Sequence, residues 1–583
     1  MFGDVPQIGS GRVLRRSLGI GAALSIALLA MPAAAAGGSA RYVLAVPVCK
    51  AATPGHAMCF AERLKTVPAR TPGARLQRRE ATPTTGPAGG LTPGDLASAY
   101  HFSSTATGSG QKVAIIDWGN DATIAADLDT FDSQYGLASC TVANGCLSVL
   151  NQTGQKSPLP SDQGAADEIS LDVEAVHSVC QLCKIDLIEV NSNAFSSTAA
   201  GVDEAVALGA TEVSNSYGGA DTSGPPPAAL SAAYNHPGIV ITVSTGDDGY
   251  YTFDKWIDTP AKGPAANPGA PNFPAELSTV VSVGGTSLYL NQTGGRQFET
   301  VWNENGPDDA DEQIVGSPMG ATGGGCSLFV NAQAWQTHVP DWSQTACGSK
   351  RLGADVAAVG DPYTGFDTYN KSDGGKGWST IGGTSLAAPV IAAMYALAGG
   401  AHGVSYPSLT LYGHLGTSAV YDVTTGGNGF CGGEGAAQCG DPNVLPYHTV
   451  ALGAVDCDFP AKGATPSTGN VACDAGPGYD GPSGVGTPNG LGVFAETGPT
   501  AAIAGPKSAQ HGVSGTWTAT TKDPFPAGAV GSYKWSWGDG TTSATTTGSD
   551  AHVYALAGPY SVTLTVTDQY GMKGTATYKV NIT

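Results

Sequence analysis

Charge is scarce in this chain, and positive charge is scarcer still. Asp, Glu, Lys and Arg make up 13% of 583 residues, with 27 Lys and Arg against 48 Asp and Glu. A net charge of −21 excludes a surface built to neutralise phosphates, so no nucleic-acid partner is expected. After the first 36 residues no apolar run is long enough to cross a bilayer as a helix, which excludes a conventional transmembrane segment. A second Cys-x-x-Cys is missing, and no His stands at ligand spacing from the one present, Cys180 and Cys183. That disfavours a zinc or redox reading of the pair.

What charge there is lies unevenly. Residues 1–90 hold 11 Lys and Arg against 3 Asp and Glu, leaving 16 against 45 for the rest. Arg12, Arg15 and Arg16 precede an apolar run from Leu18 to Met31 and the small residues Ala33 to Ala36. This reads as a secretory signal peptide over 1–36, and the Arg15–Arg16 pair leaves the general and twin-arginine export routes both open. The mature protein is therefore expected to be secreted. In an exported chain, twelve cysteines favour disulfides, and they fall as close neighbours. The expected pairs are Cys49 with Cys59, Cys140 with Cys146, Cys180 with Cys183, Cys326 with Cys347, Cys431 with Cys439, and Cys457 with Cys473.

Residues 37–91 read as a short basic pro-segment, strand-like at RYVLAVPVCK and AERLKTVPAR, ending in an exposed linker rich in Pro, Thr, Gly and Arg. From 92 the pattern changes. QKVAIIDWG (111–119) is a buried strand ending at Asp117, followed by the helix DEISLDVEAVHSVC and the strand IDLIEV (185–190). Then come the helix at 198–210, the strands TEVSNSYGG and GIVITVSTGDDG, and the strand at 278–290. Alternating strands and helices predict an α/β fold with a doubly wound, mostly parallel sheet and sites at the carboxyl ends of its strands.

The stretch GWSTIGGTSLAAPVIAA (377–393) places Ser385 at the start of an apolar helix. Unpaired N–H groups at such a helix start favour developing negative charge, as a nucleophilic hydroxyl and its oxyanion require. By itself Ser385 could equally be a helix cap. The string GTSLAAP, however, resembles the nucleophile motif of the subtilisin-like clan. Proteases of that clan draw their base from a His-Gly-Thr-His motif, which this chain lacks. His177 lies on the far side of its helix from Glu168 and Asp172 and reads as a polar-face or cap histidine. Glu168 and Asp172, four residues apart, project from one helix face. On their own they read as a solvated acidic face.

The set EISLD (168–172), GDDG with Asp247 and GGTS with Ser385, in that order, resembles the sedolisin or serine-carboxyl peptidase family over about Thr92 to Gly492. The resemblance implies Ser385 as nucleophile, Glu168 as general base, Asp172 as its partner and Asp247 as oxyanion donor. A carboxylate titrating near pH ~4 accepts the serine proton in acid, where a histidine is already charged. The same resemblance implies one structural Ca²⁺, held by Asp422, Val423, Gly476, Gly478 and Asp480. Hard oxygen ligands without sulfur or imidazole suit that ion. The chain departs from the family in its N-terminal segment, about fifty residues where a prodomain of well over a hundred is usual.

Beyond Glu496 the composition shifts to short alternating runs of Thr, Val, Tyr and Trp, a β-sandwich pattern. WSWGDG (535–540), HVYALAGPYSVTLTVTD (552–568) and the final YKVNI resemble a PKD-type domain. The expected organisation is a peptidase domain over 92–496 and an all-β PKD-like domain over 497–583. The expected function is that of a monomeric, secreted, acid-active endopeptidase acting on proteins or peptides through an acyl-enzyme on Ser385. The PKD unit is expected to bind an insoluble protein or polysaccharide. The competing readings are an inactive binding or cell-surface protein on the same fold, and a His-dependent subtilisin-like protease, for which Asp117 would stand as the catalytic acid.

Overall fold

The computed structural model describes residues 41–50, 53–68, 75–77, 86–162, 164–220, 224–250, 271–303, 320–372, 377–429, 471–495, 498–525 and 528–583. The expected signal peptide and most of the expected linker lie outside these residues.

An eight-stranded sheet carries the architecture. From edge to edge it runs Arg296–Val301, Val281–Leu290, Val240–Ser244, Glu212–Asn215, Lys112–Trp118, Lys184–Val190 and Leu147–Asn151, with Val356–Val359 also pairing Val281–Leu290. All pairings are parallel except that of the edge strand Arg296–Val301. The central strands are buried along their length, as parallel strands covered on both faces must be. The helices Ala166–Val179 and Thr384–Ala398 pack together on one face, and Phe195–Ala207 lies against Lys112–Trp118 and Lys184–Val190.

Two segments expected as single strands are each broken in two, and the breaks build the site. TEVSNSYGG divides into Glu212–Asn215 and Tyr217–Ala220. At Ser216 the chain leaves the parallel sheet, and its second half pairs antiparallel with Asn272–Phe273 and with Met58–Cys59. GIVITVSTGDDG divides into Val240–Ser244 and Asp248–Tyr250. Asp247 lies in the gap.

The N-terminal segment is woven into this body. Arg41–Pro47 and Glu62–Val67 form an antiparallel pair, and Glu62–Val67 adds to Gly377–Gly382, the strand that leads into Ser385. Four of the expected disulfides are formed: Cys49–Cys59, Cys140–Cys146, Cys180–Cys183 and Cys326–Cys347. Cys473 is also disulfide-bonded. The remaining expected partners, Cys431, Cys439 and Cys457, lie outside the described residues.

The C-terminal unit is a sandwich of a three-stranded and a five-stranded sheet. Inward-facing Trp517, Trp535, Trp537, Tyr554, Val562, Leu564 and Val566 fill it, and outward positions between them are polar. Phe525, Met572 and Tyr570 join it to the core of the body. The Tyr570 hydroxyl lies 2.9 Å from His338 Nδ1, and its ring meets Trp335 edge-on at 5.9 Å. Between those two body residues Gln336, fully buried, donates to the Leu352 carbonyl at 2.7 Å and to the Tyr412 and Tyr479 hydroxyls at 2.9 Å each.

Candidate active site

Ser385 is the second residue of the helix Thr384–Ala398 and has no solvent exposure. Gly383, which caps the helix at φ +100°, comes so close to its surroundings that a Cβ there would lie 2.0 Å from the Phe60 carbonyl oxygen and 2.7 Å from Asp247 Oδ2. Only glycine fits such a position. The Ser385 N–H, one of the orphan donors of the first helical turn, donates to the Phe60 carbonyl at 2.9 Å. The Ser385 hydroxyl donates to the Ser216 carbonyl at 3.0 Å and accepts from the Phe60 N–H at 3.0 Å.

Glu168 and Asp172 reach the same place from the neighbouring helix, Ala166–Val179. Both are fully buried, so the solvated acidic face is excluded: that helix is buried on all sides from Glu168 to Val179. Burial holds the Glu168 carboxyl well above its usual range, repulsion from Asp172 and Asp117 adds to this, and the nearby Ser385 hydroxyl works the other way. Asp172 is raised for the same reasons, burial first and then Asp117, with the Ser216 hydroxyl opposing. Asp117, at the carboxyl end of Lys112–Trp118, is pushed up to about 7 by burial and by Glu189, its partner on the adjacent strand. The cluster is thus three carboxyls in a dry interior beside one serine. At acid pH it holds protons.

Asp247 is held at the start of the Ser385 helix, and its charge acts on Glu168. Its Oδ1 accepts both the N–H and the hydroxyl of Thr384, at 2.8 Å each. The structure therefore brings Ser385, Glu168, Asp172 and Asp247 together, and it adds Asp117 to them.

His177 is a correction. It is neither on a polar face nor solvated, but fully buried, with Nε2 2.7 Å from the Ala138 carbonyl and 3.3 Å from Asp132 Oδ1. Its partners are Ala138 and Asp132, and not Glu168 or Asp172. What periodicity missed is that the helix has no wet side. Sequence reasoning also missed the segment Ala57–Ala61, whose Phe60 occupies the serine. The neighbouring cysteines, Cys49 and Cys59, were the one signal that this stretch is held in a fixed shape.

The five residues expected to hold an ion converge from two distant segments. The Gly478 N–H donates to Asp422 Oδ2 at 2.9 Å, and the Gly476 N–H to Asp480 Oδ2 at 3.2 Å. Asp480 also accepts the Ser483 N–H at 2.9 Å and its hydroxyl at 2.7 Å. It is fully buried, as is Val423. Burial raises Asp480 well above its usual range, and repulsion from Asp422 adds to this. Two converging carboxyls with no sulfur or imidazole among the five residues are a donor set that fits a hard cation.

Residues 164–436 match the model of the subtilase family, and residues 496–582 match the PKD domain. The chain is thus similar to the subtilase family over residues 164–436 and to PKD domains over residues 496–582. Kumamolisin from Bacillus sp. (strain MN-32) is 30% identical over 394 residues, covering 63% of this chain and 63% of the relative. Sedolisin from Pseudomonas sp. (strain 101) is 29% identical, covering 63% of this chain and 61% of the relative. The chain thus spans somewhat under two thirds of the length of the curated relatives it matches. The solved structure of Pseudomonas sedolisin in complex with two molecules of pseudo-iodotyrostatin superposes with a TM-score of 0.50 at 23% identity. It covers 69% of this chain and 96% of that one, which establishes the sedolisin-like fold.

Proposed function

We propose that this protein is a secreted, acid-active serine-carboxyl endopeptidase that cuts proteins or peptides through an acyl-enzyme on Ser385. The observation that carries the reading is the meeting, at one point, of a buried serine, a buried carboxyl pair and a peptide carbonyl accepting the Ser385 N–H at 2.9 Å.

In this reading Ser385 attacks the carbonyl carbon while Glu168 takes the hydroxyl proton, then returns it to the leaving amine. Asp172 shares a proton with Glu168 and holds it in orientation, and Asp117 keeps that proton in the cluster by repulsion. The oxyanion forms between the Ser385 N–H and Asp247, which donates from Oδ2 when protonated. Asp247 Oδ1 is already engaged as acceptor by Thr384. His177 has its own partners, Ala138 and Asp132, and takes no part.

The Asp422, Val423, Gly476, Gly478 and Asp480 set would hold one Ca²⁺, which ties two distant segments and supplies stability, not chemistry. No helix among the described residues is long and apolar enough to span a membrane. Four intact disulfides suit an oxidising compartment. We assign the PKD unit to binding an insoluble protein or polysaccharide, and the enzyme to a monomer.

The purified protein should digest a denatured protein at pH 3 to 5. Ser385→Ala, Glu168→Ala and Asp172→Ala should each lose several orders of magnitude in turnover, and the double variants little more, because the serine is useless without its base. Additive losses would refute the triad, and digestion by Ser385→Ala would refute the nucleophile.

A further inference from the structure

The turn between the strand Lys184–Val190 and the helix Phe195–Ala207 lies at the carboxyl end of a parallel strand, where sites form in sheets of this kind. It supplies none of Ser385, Glu168, Asp172 and Asp247. What it holds is main chain. Asn193 turns two groups on one residue, Ala57: its carbonyl accepts the Ala57 N–H, and its side-chain Nδ2 donates to the Ala57 carbonyl, at 2.7 Å each. Next to it, Ala194 forms an antiparallel bridge with His56. The Phe195 N–H, an orphan donor of the helix start, goes to the Gly55 carbonyl at 3.2 Å. Ala57 itself is fully buried.

The residue that Asn193 grips has a fixed place relative to Ser385. The Phe60 carbonyl takes the Ser385 N–H at 2.9 Å, and the Phe60 N–H reaches the Ser216 carbonyl at 3.2 Å. Between Phe60 and Ala57, Cys59 and Met58 pair antiparallel with Tyr217 and Gly218. Residues 57–60 thus show how an extended peptide fits the site, with Phe60 standing where the residue before the cut bond would stand. Counted back from there, Ala57 is the fourth residue. At about 3.3 Å per residue, Asn193 works roughly 10 Å from the reacting carbonyl.

We propose that Asn193 is a substrate-positioning residue that clamps the main chain of the fourth residue before the cut bond, so that the enzyme selects peptides reaching at least four residues on the acyl side. This rests on the peptidase reading. Holding both the N–H and the carbonyl of one residue fixes its position and its rotation, which aligns the carbonyl that Ser385 attacks. Binding at a distance from the chemistry is used in the transition state, so a truncated substrate loses turnover as well as affinity. The clamp has two separable halves. A proline as the fourth residue has no N–H for the Asn193 carbonyl. Asn193→Ala keeps that carbonyl and removes Nδ2, which leaves the substrate carbonyl without its donor.

The test uses the full-length protein at pH 4, once its digestion of a denatured protein runs at a constant rate. Three peptides share the same three residues before the cut bond and the same leaving group. Two are acetylated and carry Ala or Pro as the fourth residue, and the third ends in a free amine after three. In the wild type, kcat/KM for the Ala peptide should exceed that for each of the others at least tenfold, with part of the difference in kcat. In Asn193→Ala, the advantage of the Ala peptide over the three-residue peptide should shrink at least threefold, while its advantage over the Pro peptide persists. Each ratio is taken within one enzyme, so any occupancy of the cleft by residues 57–60 cancels. If the variant does not fold, the wild-type panel decides. Equal kcat/KM for the three peptides in the wild type, or an equal proportional loss on all three in Asn193→Ala, overturns the clamp and leaves the peptidase reading standing. A wild type inactive on the denatured protein and on every peptide overturns the peptidase reading itself.

Discussion

Thr384 gives both its main-chain N–H and its hydroxyl to a single oxygen of Asp247, at 2.8 Å each. One carboxyl oxygen is thereby committed as an acceptor, and the other, Oδ2, would lie 2.7 Å from a Cβ added at Gly383. A proton on Oδ2 turns it into a donor to an oxyanion, while an ionised carboxylate repels one. Asp247→Asn can keep the Thr384 contacts through its oxygen and donate from nitrogen at every pH. The variant should be slower at pH 4 but decline at higher pH than the wild type. Rate–pH profiles, with a fold probe over the same range, check this, and superimposable alkaline limbs would remove Asp247 from the oxyanion.

Stability should fall as pH rises, and Glu212 offers a place to see it away from Ser385. Burial raises its carboxyl to about 8. Between pH ~4.5 and about 8 the native protein keeps a proton that the unfolded chain sheds, at up to ~1.4 kcal/mol per pH unit. Glu212→Gln should therefore melt with the wild type at pH 4 and several degrees above it at pH 8. Thermal melts at both values decide it.

Chelation should weaken the fold without altering the chemistry. A cation bound between Asp422 and Asp480 stabilises the native state by mass action. Excess EDTA near pH 7 should lower the melting temperature by several degrees, and Asp480→Asn should show a lower melt that EDTA no longer shifts. Equal melts with and without EDTA, in wild type verified free of calcium, would contradict the site.

His177→Gln separates the carboxyl mechanism from a histidine mechanism. The buried ring is held by Ala138 and Asp132, and burial lowers its basicity. The variant should lose melting temperature but keep turnover at pH 4 within tenfold. A loss comparable to that of Ser385→Ala would restore histidine as the base.

The parallel sheet was legible because its strands are buried on both faces and therefore read as continuous apolar runs, such as KVAIIDW in Lys112–Trp118. Ser385, Glu168, Asp172 and Asp247 were legible as motif and spacing, and they do converge. The breaks at Ser216 and Asp247 were not legible, since both segments keep a strand-like composition while the chain changes partners. Nor was the burial of the helix Ala166–Val179. Its charged residues look solvated until the helix Thr384–Ala398 and the neighbouring strands are in place around them. Phe60 was hidden for a further reason: one aromatic in the five-residue apolar run Ala57–Ala61 carries no period, and only the fold takes it to the serine.

The Tyr570 contact makes the C-terminal sandwich a lever as well as an appendage. Its hydroxyl meets His338 and its ring meets Trp335, and between them Gln336 grips Leu352, Tyr412 and Tyr479, the last adjoining Asp480. If the sandwich is held on a solid and the body is pulled by flow, tension passes through Tyr570 into the turn that carries Asp480. The mechanical load path and the proposed ion clamp then coincide.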